Sequence, residues 1–171
     1  EDDNVAAFVE QLMAEHSIDP GDLHLEITES VALEAGGRAA QQLDALRCLG
    51  TPIAIDDFGT GYSSLQAVQG TGFDILKIDR SFVTPLDTDP EDVHVVRSII
   101  DLARGMDAET VGEGIETQAE LQALIAIGCD IGQGWIFSKP LLAQDLVVLM
   151  ASGGFGDIVH CPKAAVGPNQ L

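Results

Sequence analysis

The chain has 171 residues, 46% of them apolar, and a mean hydropathy of +0.18, which is enough for one domain with a sizeable core and too apolar for a disordered tail. Its 28 acids against 8 bases leave a net charge of −20, a field that repels nucleic-acid polymers and anionic lipid, so a phosphate-bearing substrate would need cations to cancel it locally. No apolar run approaches the roughly 18 residues of a spanning helix, and no basic n-region precedes an apolar stretch as in a signal peptide.

Val5 to His16 carries Val5, Phe8, Val9, Leu12 and Met13 at helical spacing, with Asp3 or Asn4 as its cap. Ile18-Asp19-Pro20-Gly21 stops that helix. Leu23 to Thr28 then alternates as a strand, with Leu23, Leu25 and Ile27 on one face and His24, Glu26 and Thr28 on the other. The second face is solvated in an open sheet and interior in a barrel. A helix is expected from Val31 to Leu49, closed by Gly50. Pro52 opens the β-branched run Ile53-Ala54-Ile55, which ends in adjacent Asp56 and Asp57. A strand that delivers two carboxylates into the glycine-bracketed loop Phe58-Gly59-Thr60-Gly61 is costly unless a cation compensates them. Divalent metal is one reading, and an Asx turn with a helix cap is the other.

A short helix follows from Ser63 to Gln69, and Phe73 to Asp79 reads as the next strand, with Lys77 and Asp79 near its carboxyl end. Among Ile75, Leu76 and Ile78, Lys77 is either a snorkelling surface residue or an interior ammonium paired with a carboxylate. The acidic run Asp87 to Asp92, with Pro90 as first helical residue, starts a helix through Val93, Val96, Ile99, Ile100 and Ala103 that stops at Gly105. Ala108 to Gly114 is a strand finishing in Glu113 beside glycines. Thr117-Gln118-Ala119-Glu120 is a capping box ahead of Leu121, Leu124 and Ile125, with Gly128 closing the helix. Cys129 to Gly134 makes a last short strand, leading through Trp135-Ile136-Phe137 to Ser138-Lys139-Pro140. Leu142 to Met150 forms the final helix. Residues 1–152 read as the domain and 153–171, Gly/Pro-rich and without periodicity, as a tail.

Five strands alternating with helices imply a parallel sheet wound with helices. Polar residues recur at the strands' carboxyl ends: Glu26, Asp56 and Asp57, Lys77 and Asp79, Glu113, Gln133. Five contributing strands suit the single rim of a (β/α)8 TIM-type barrel better than the one switch point of a doubly wound sheet. No turn carries the G-x-G-x-x-G of a dinucleotide site. Eight strands make a barrel, so three are expected upstream of Glu1, and a start without Met reads as a piece of a longer protein. Cys48, Cys129 and Cys161 have neither zinc nor disulfide spacing and fit reduced thiols in the cytoplasm, any membrane anchor belonging to parent domains outside this chain.

The blocks Leu25-Glu26-Ile27-Thr28-Glu29-Ser30, Asp56-Asp57-Phe58-Gly59-Thr60-Gly61-Tyr62-Ser63-Ser64-Leu65, Leu76-Lys77-Ile78-Asp79, Gly112-Glu113-Gly114-Ile115-Glu116-Thr117 and Gln133-Gly134-Trp135-Ile136-Phe137-Ser138-Lys139-Pro140 resemble, in order and spacing, the EAL-domain family of bacterial cyclic-di-GMP phosphodiesterases. The resemblance covers residues 1 to about 152. It implies a modified (β/α)8 barrel, here its last five βα units, that hydrolyses cyclic di-GMP to linear pGpG with Mg²⁺ or Mn²⁺ in a two-metal site. By that resemblance Glu26 is a metal ligand, Asp56 bridges two ions and Asp57 lies on the second. Lys77 orients the attacking water, Glu113 binds metal or its water, and Gln133 supports the water network and, with Pro140, the substrate. Glu29 ties down the loop after Asp57, in which Phe58, Gly59 and Thr60 couple the metal site to a homodimer interface.

One departure stands out. The family's Glu-Ala-Leu followed by Arg, and a later Asn ligand, are absent from these residues; Glu34-Ala35-Gly36 sits in the wrong context. That reads as truncation, with the chain expected to bind metal weakly and turn over little alone. Two other readings stand beside the phosphodiesterase. One is a non-catalytic cyclic-di-GMP receptor or interaction module on the same fold. The other is a barrel of the enolase kind with a Lys base, which the tandem Asp and Gln133 fit poorly.

Overall fold

The computed structural model describes residues 4–34, 38–59, 72–87 and 90–152. Helix α1 spans Val5–His16, and Ser17 in the left-handed conformation ends it. Strand β1 is Leu25–Thr28 and runs straight into α2, Glu29–Glu34, followed by α3, Arg38–Cys48. The helix expected over Val31 to Leu49 is thus recorded as two stretches, with 35–37 between them outside the described residues, and it begins two residues early. Gly50, at φ +91°, closes α3 as expected.

Strand β2 covers Ile53–Phe58 and β3 Ile75–Ile78. Next comes a short helix that the spacing did not announce, α4, Arg80–Val83. Asp79 caps it by accepting from the Ser81 N–H at 3.0 Å and the Ser81 hydroxyl at 2.6 Å. Helix α5 is Pro90–Gly105 and β4 is Glu109–Gly112. Helix α6, Gln118–Ile127, carries the expected capping box, and Gly128 at φ +84° ends it. Strand β5 has two residues, Ile131–Gly132, and α7 is Ala143–Ala151. The helix expected at Ser63 to Gln69, the tail 153–171, Asp3 and Thr60 lie outside the described residues. Among the described residues, no helix is long and apolar enough to cross a membrane.

The five strands are all parallel, in the order β1-β2-β3-β4-β5. Every strand lies beside its neighbour in the chain and the order never reverses, as in a barrel wall and unlike a doubly wound sheet. Strand alternation divides the side chains. Ile55, Leu76 and Ile78 join Val83, Val96, Ile100, Ile115 and Leu124 in the main core against the helices. Ala54, Ile75 and Val111 form a small cluster on the opposite face. Two aspartates at the amino ends pin the register. Asp74 accepts the Ile53 N–H at 2.9 Å, and Asp130 accepts the Thr110 N–H at 2.9 Å and its hydroxyl at 2.7 Å. That register carries the polar ends of β1 to β4 to one rim.

Candidate metal centre

Alternation along β3 puts Lys77 on the face of Ile75, away from the helices, yet Lys77 is only 6% exposed. Its ammonium lies 2.9 Å from Glu26 Oε2 on β1, 2.9 Å from Asp56 Oδ1 on β2 and 2.8 Å from Glu113 Oε1 just past β4. Four elements converge on one nitrogen whose three N–H donors match three acceptors. Lys77 is therefore an interior ion-paired lysine and not a snorkelling one. Burial pulls its pKa down, but the hydrogen bonds it donates to Glu113, Asp56 and Glu26 outweigh that and hold it above the ordinary lysine value. Glu113 moves up as well. Burial raises its carboxyl, Lys77 lowers it, and the negative charges of Asp56 and Glu26 add to the rise.

Adjacent residues of a regular strand point to opposite faces, so Asp56 and Asp57 could not both face the rim. A bulge resolves this. The β2–β3 ladder runs Ala54↔Ile75 and Ile55↔Leu76, then jumps to Phe58↔Ile78, and Asp57 sits at φ +56°. Asp is one of the few residues that enters this region at modest cost. As a result Asp56, Asp57 and Glu113 each present a carboxylate oxygen, and these all lie within 4.8 Å of one another. Three converging hard oxygen donors suit Mg²⁺, Mn²⁺ or Ca²⁺.

Glu29, buried at the start of α2, accepts the Gly59 N–H at 3.0 Å and so ties the residue after β2 to the end of β1. Gly59 has φ +93°, and a Cβ there would come within 3.0 Å of the Phe82 ring. Phe58, expected in the loop, is instead the last residue of β2 and is buried in the main core, because the bulge turns it toward the helices. Gln133 directly follows β5. Its N–H donates to the Gly112 carbonyl at 2.8 Å and its carbonyl accepts from Ile115 at 3.1 Å, while the residue itself is exposed. Pro140 is exposed too. The rim thus gathers Glu26, Asp56, Asp57, Lys77 and Glu113, with Glu29 bracing Gly59, and leaves Gln133 and Pro140 at its border.

The contacts of three further polar residues escaped the sequence reading. Arg80 Nη2 lies 2.8 Å from Glu116 Oε1, and Glu120 accepts the N–H groups of Glu116 at 2.8 Å and Thr117 at 2.9 Å. Glu120 was legible only as the acid of a capping box, and nothing in the spacing pairs Arg80 with Glu116.

The EAL domain family model matches residues 1–140. Among curated relatives, the bifunctional diguanylate cyclase/cyclic di-GMP phosphodiesterase MucR of Pseudomonas aeruginosa is 38% identical over 143 residues, 84% of this chain and 21% of that protein. Among solved structures, the EAL domain of Mycobacterium smegmatis DcpA is 40% identical with a TM-score of 0.81, covering 86% of this chain and 66% of that one. A Klebsiella pneumoniae BlrP1 complex with manganese and cy-diGMP is 28% identical with a TM-score of 0.74, covering 78% and 34%. The chain spans about a fifth of the length of the first curated relatives it matches, between 18% and 22%.

Proposed function

This chain belongs to the EAL-domain family, and from that membership and the rim geometry we propose that it is part of a metal-dependent phosphodiesterase that opens cyclic di-GMP to linear pGpG. The observation that carries the proposal is the buried Lys77 ammonium bonded to three carboxylates beside a fourth, Asp57. So many acids converging around one cation hold room in their charge balance for further positive charge. The kinship with MucR and with a relative crystallised with manganese and cy-diGMP supports both the substrate and the divalent ion.

In this reading Glu26, Asp56, Asp57 and Glu113 hold two ions, Mg²⁺ or Mn²⁺. Such a pair would offset the substrate's phosphate charge and acidify the attacking water. Asp56, central among the acids, would be the ligand placed to serve both ions. Lys77, charged at every physiological pH, would orient the attacking water with an N–H donor released by a carboxylate that turns to the ions, and would meet the negative charge that grows on the phosphate oxygens. It cannot be the base, because its pKa is moved the wrong way. Glu113 would bind metal or metal-bound water beside it. The Glu29–Gly59 bond steadies the backbone beside the bulged Asp57 and would couple the site to a homodimer contact. Gln133 and Pro140 border the substrate.

The carboxylates are unequally covered. Glu26 is 51% exposed, Asp56 27% and Glu113 17%, so the cluster opens on the β1 side. In a sequentially wound barrel that is the side on which the family's Glu-Ala-Leu-x-Arg strand lies. These 171 residues hold no such motif, and they are expected to bind metal weakly and to turn over little alone. Cys48 and Cys129 are free thiols, which suits the cytoplasm.

Turnover of cyclic di-GMP with Mg²⁺ by the full-length gene product tests the proposal. Lys77→Ala should lower the rate by at least a hundredfold while the protein stays folded, and Asp56→Asn should abolish the metal-dependent rate. Near-wild-type hydrolysis in either variant refutes it. Tight binding of cyclic di-GMP by calorimetry with Ca²⁺, with no turnover in Mg²⁺, makes the protein a receptor instead.

A further inference from the structure

We infer that Arg80 is a positioning residue that holds the segment after β4, and with it Glu113, against Lys77. The inference goes beyond the phosphodiesterase reading but rests on it where turnover is measured. Arg80 lies three residues after Lys77, at the start of α4, and it touches the segment that follows Glu113 in two ways. Its guanidinium Nη2 is 2.8 Å from Glu116 Oε1. Its stem lies flat on Gly114, the residue after Glu113. A Cβ at Gly114 would fall 2.6 Å from Arg80 Cγ and 2.7 Å from its Cβ, and Gly114 sits at φ +66°. Only glycine leaves room there for the arginine stem and also accepts that backbone conformation.

The far end of the contact is anchored as well. Glu120 is buried on α6, and it accepts the N–H groups of Glu116 and Thr117 while Thr117 caps the same helix. Burial pushes the Glu120 carboxyl up, but those bonds, with Arg80 contributing, more than reverse the effect and keep it ionised. Glu116 therefore cannot drift without breaking the start of α6. At the near end the Glu113 N–H donates to the Ile78 carbonyl at 3.0 Å. Glu113 is thus bracketed, with β3 joined to its backbone on one side and Arg80 joined to Gly114 and Glu116 on the other. Among the described residues, Arg80 reaches the acidic cluster through this bracket. Both members of the ion pair are substantially exposed, at 53% and 34%, so the pair adds little to stability. That separates positioning from folding in an experiment.

Arg80→Met keeps the stem over Gly114 and removes the ion pair, Glu116→Gln removes it from the other side, and Arg80→Lys restores one charge. In the full-length gene product, Mn²⁺ affinity is read from the free-ion electron paramagnetic resonance signal, alongside kcat and KM for cyclic di-GMP and the melting temperature. Arg80→Met and Glu116→Gln should each weaken Mn²⁺ binding and lower kcat by about tenfold, the scale of lost support behind a metal ligand. KM should stay within twofold, melting should barely move, and Arg80→Lys should recover part of the loss. Mn²⁺ affinity and kcat both unchanged in Arg80→Met overturn the inference. So does a rise in KM at constant kcat, which would make Arg80 a substrate contact, or a melting collapse shared by Arg80→Met and Arg80→Lys, which would make it structural. If the wild-type protein hydrolyses nothing, the phosphodiesterase reading fails and Mn²⁺ affinity alone decides the role of Arg80.

Discussion

Glu113 shows what the acidic rim costs at the level of one side chain. Its carboxyl is raised from the ordinary 4.5, first by burial and then by Asp56 and Glu26, against the pull of Lys77. The folded chain therefore holds that proton more tightly than the unfolded chain does. The group's stabilising contribution is complete below pH 4.5 and is lost as the pH rises through the raised value. At pH 7 without metal, ionised Glu113 is a net burden. Glu113→Gln is expected to melt at the same or a higher temperature than wild type in EDTA at pH 7, with turnover lost; a clear fall in melting temperature would contradict this. Lys77 follows the same sign at far higher pH, since its contribution is full below 10.5 and fades only as the pH rises above that. The two residues also differ in how far the sequence disclosed them. Period-2 alternation assigned Lys77 to a face of β3 but could not say whether that face was wet, because the acids that cover it come from other strands. For the bulge at Asp57 the sequence offered two adjacent acids and nothing more.

Among the elements, α1, α5 and α6 lie where periodicity placed them, because each has several turns of apolar spacing and a residue that starts or stops it, although Asn4, expected to cap α1, makes no side-chain cap bond. Strands β1 and β5 are shorter than the stretches read for them, since a ladder ends where its partner ends and a single strand's sequence does not record that. Helix α4 went unforeseen because four residues carry no period, and its cap, Asp79, was read as one more rim acid. The caps give a test at this scale. Thr117→Ala removes the hydroxyl that accepts the Glu120 N–H and loosens both halves of the capping box. It should cost about 1 kcal/mol in chemical denaturation. Gly134→Ala is the harsher change. Its new methyl would overlap the Ile115 backbone, which has no rotamer to yield, so a loss of about 1–3 kcal/mol is expected together with displacement of Gln133. A Gly134→Ala protein as stable as wild type would contradict that packing.

At the scale of the whole molecule, charge and topology give one account. A net charge of −20 repels an anionic dinucleotide, and Lys77 is the buried lysine at the rim that begins to offset it. The unreversed order of five parallel strands brings the ends of β1, β2, β3 and β4 to one rim, so residues more than eighty positions apart meet at a single nitrogen. The alternation of elements made that architecture legible in advance. The distances among Glu26, Asp56, Lys77 and Glu113 were not legible, because they depend on registers pinned by Asp74 and Asp130 from the opposite end of the sheet. The most direct test is an anomalous difference map of the full-length gene product crystallised with Mn²⁺. Two peaks about 3.5–4 Å apart, one on Asp56 and Glu113 and one reaching Asp57, are the expected result. A map with no peak there at saturating Mn²⁺, and Lys77 still bonded to all three carboxylates, would contradict the account.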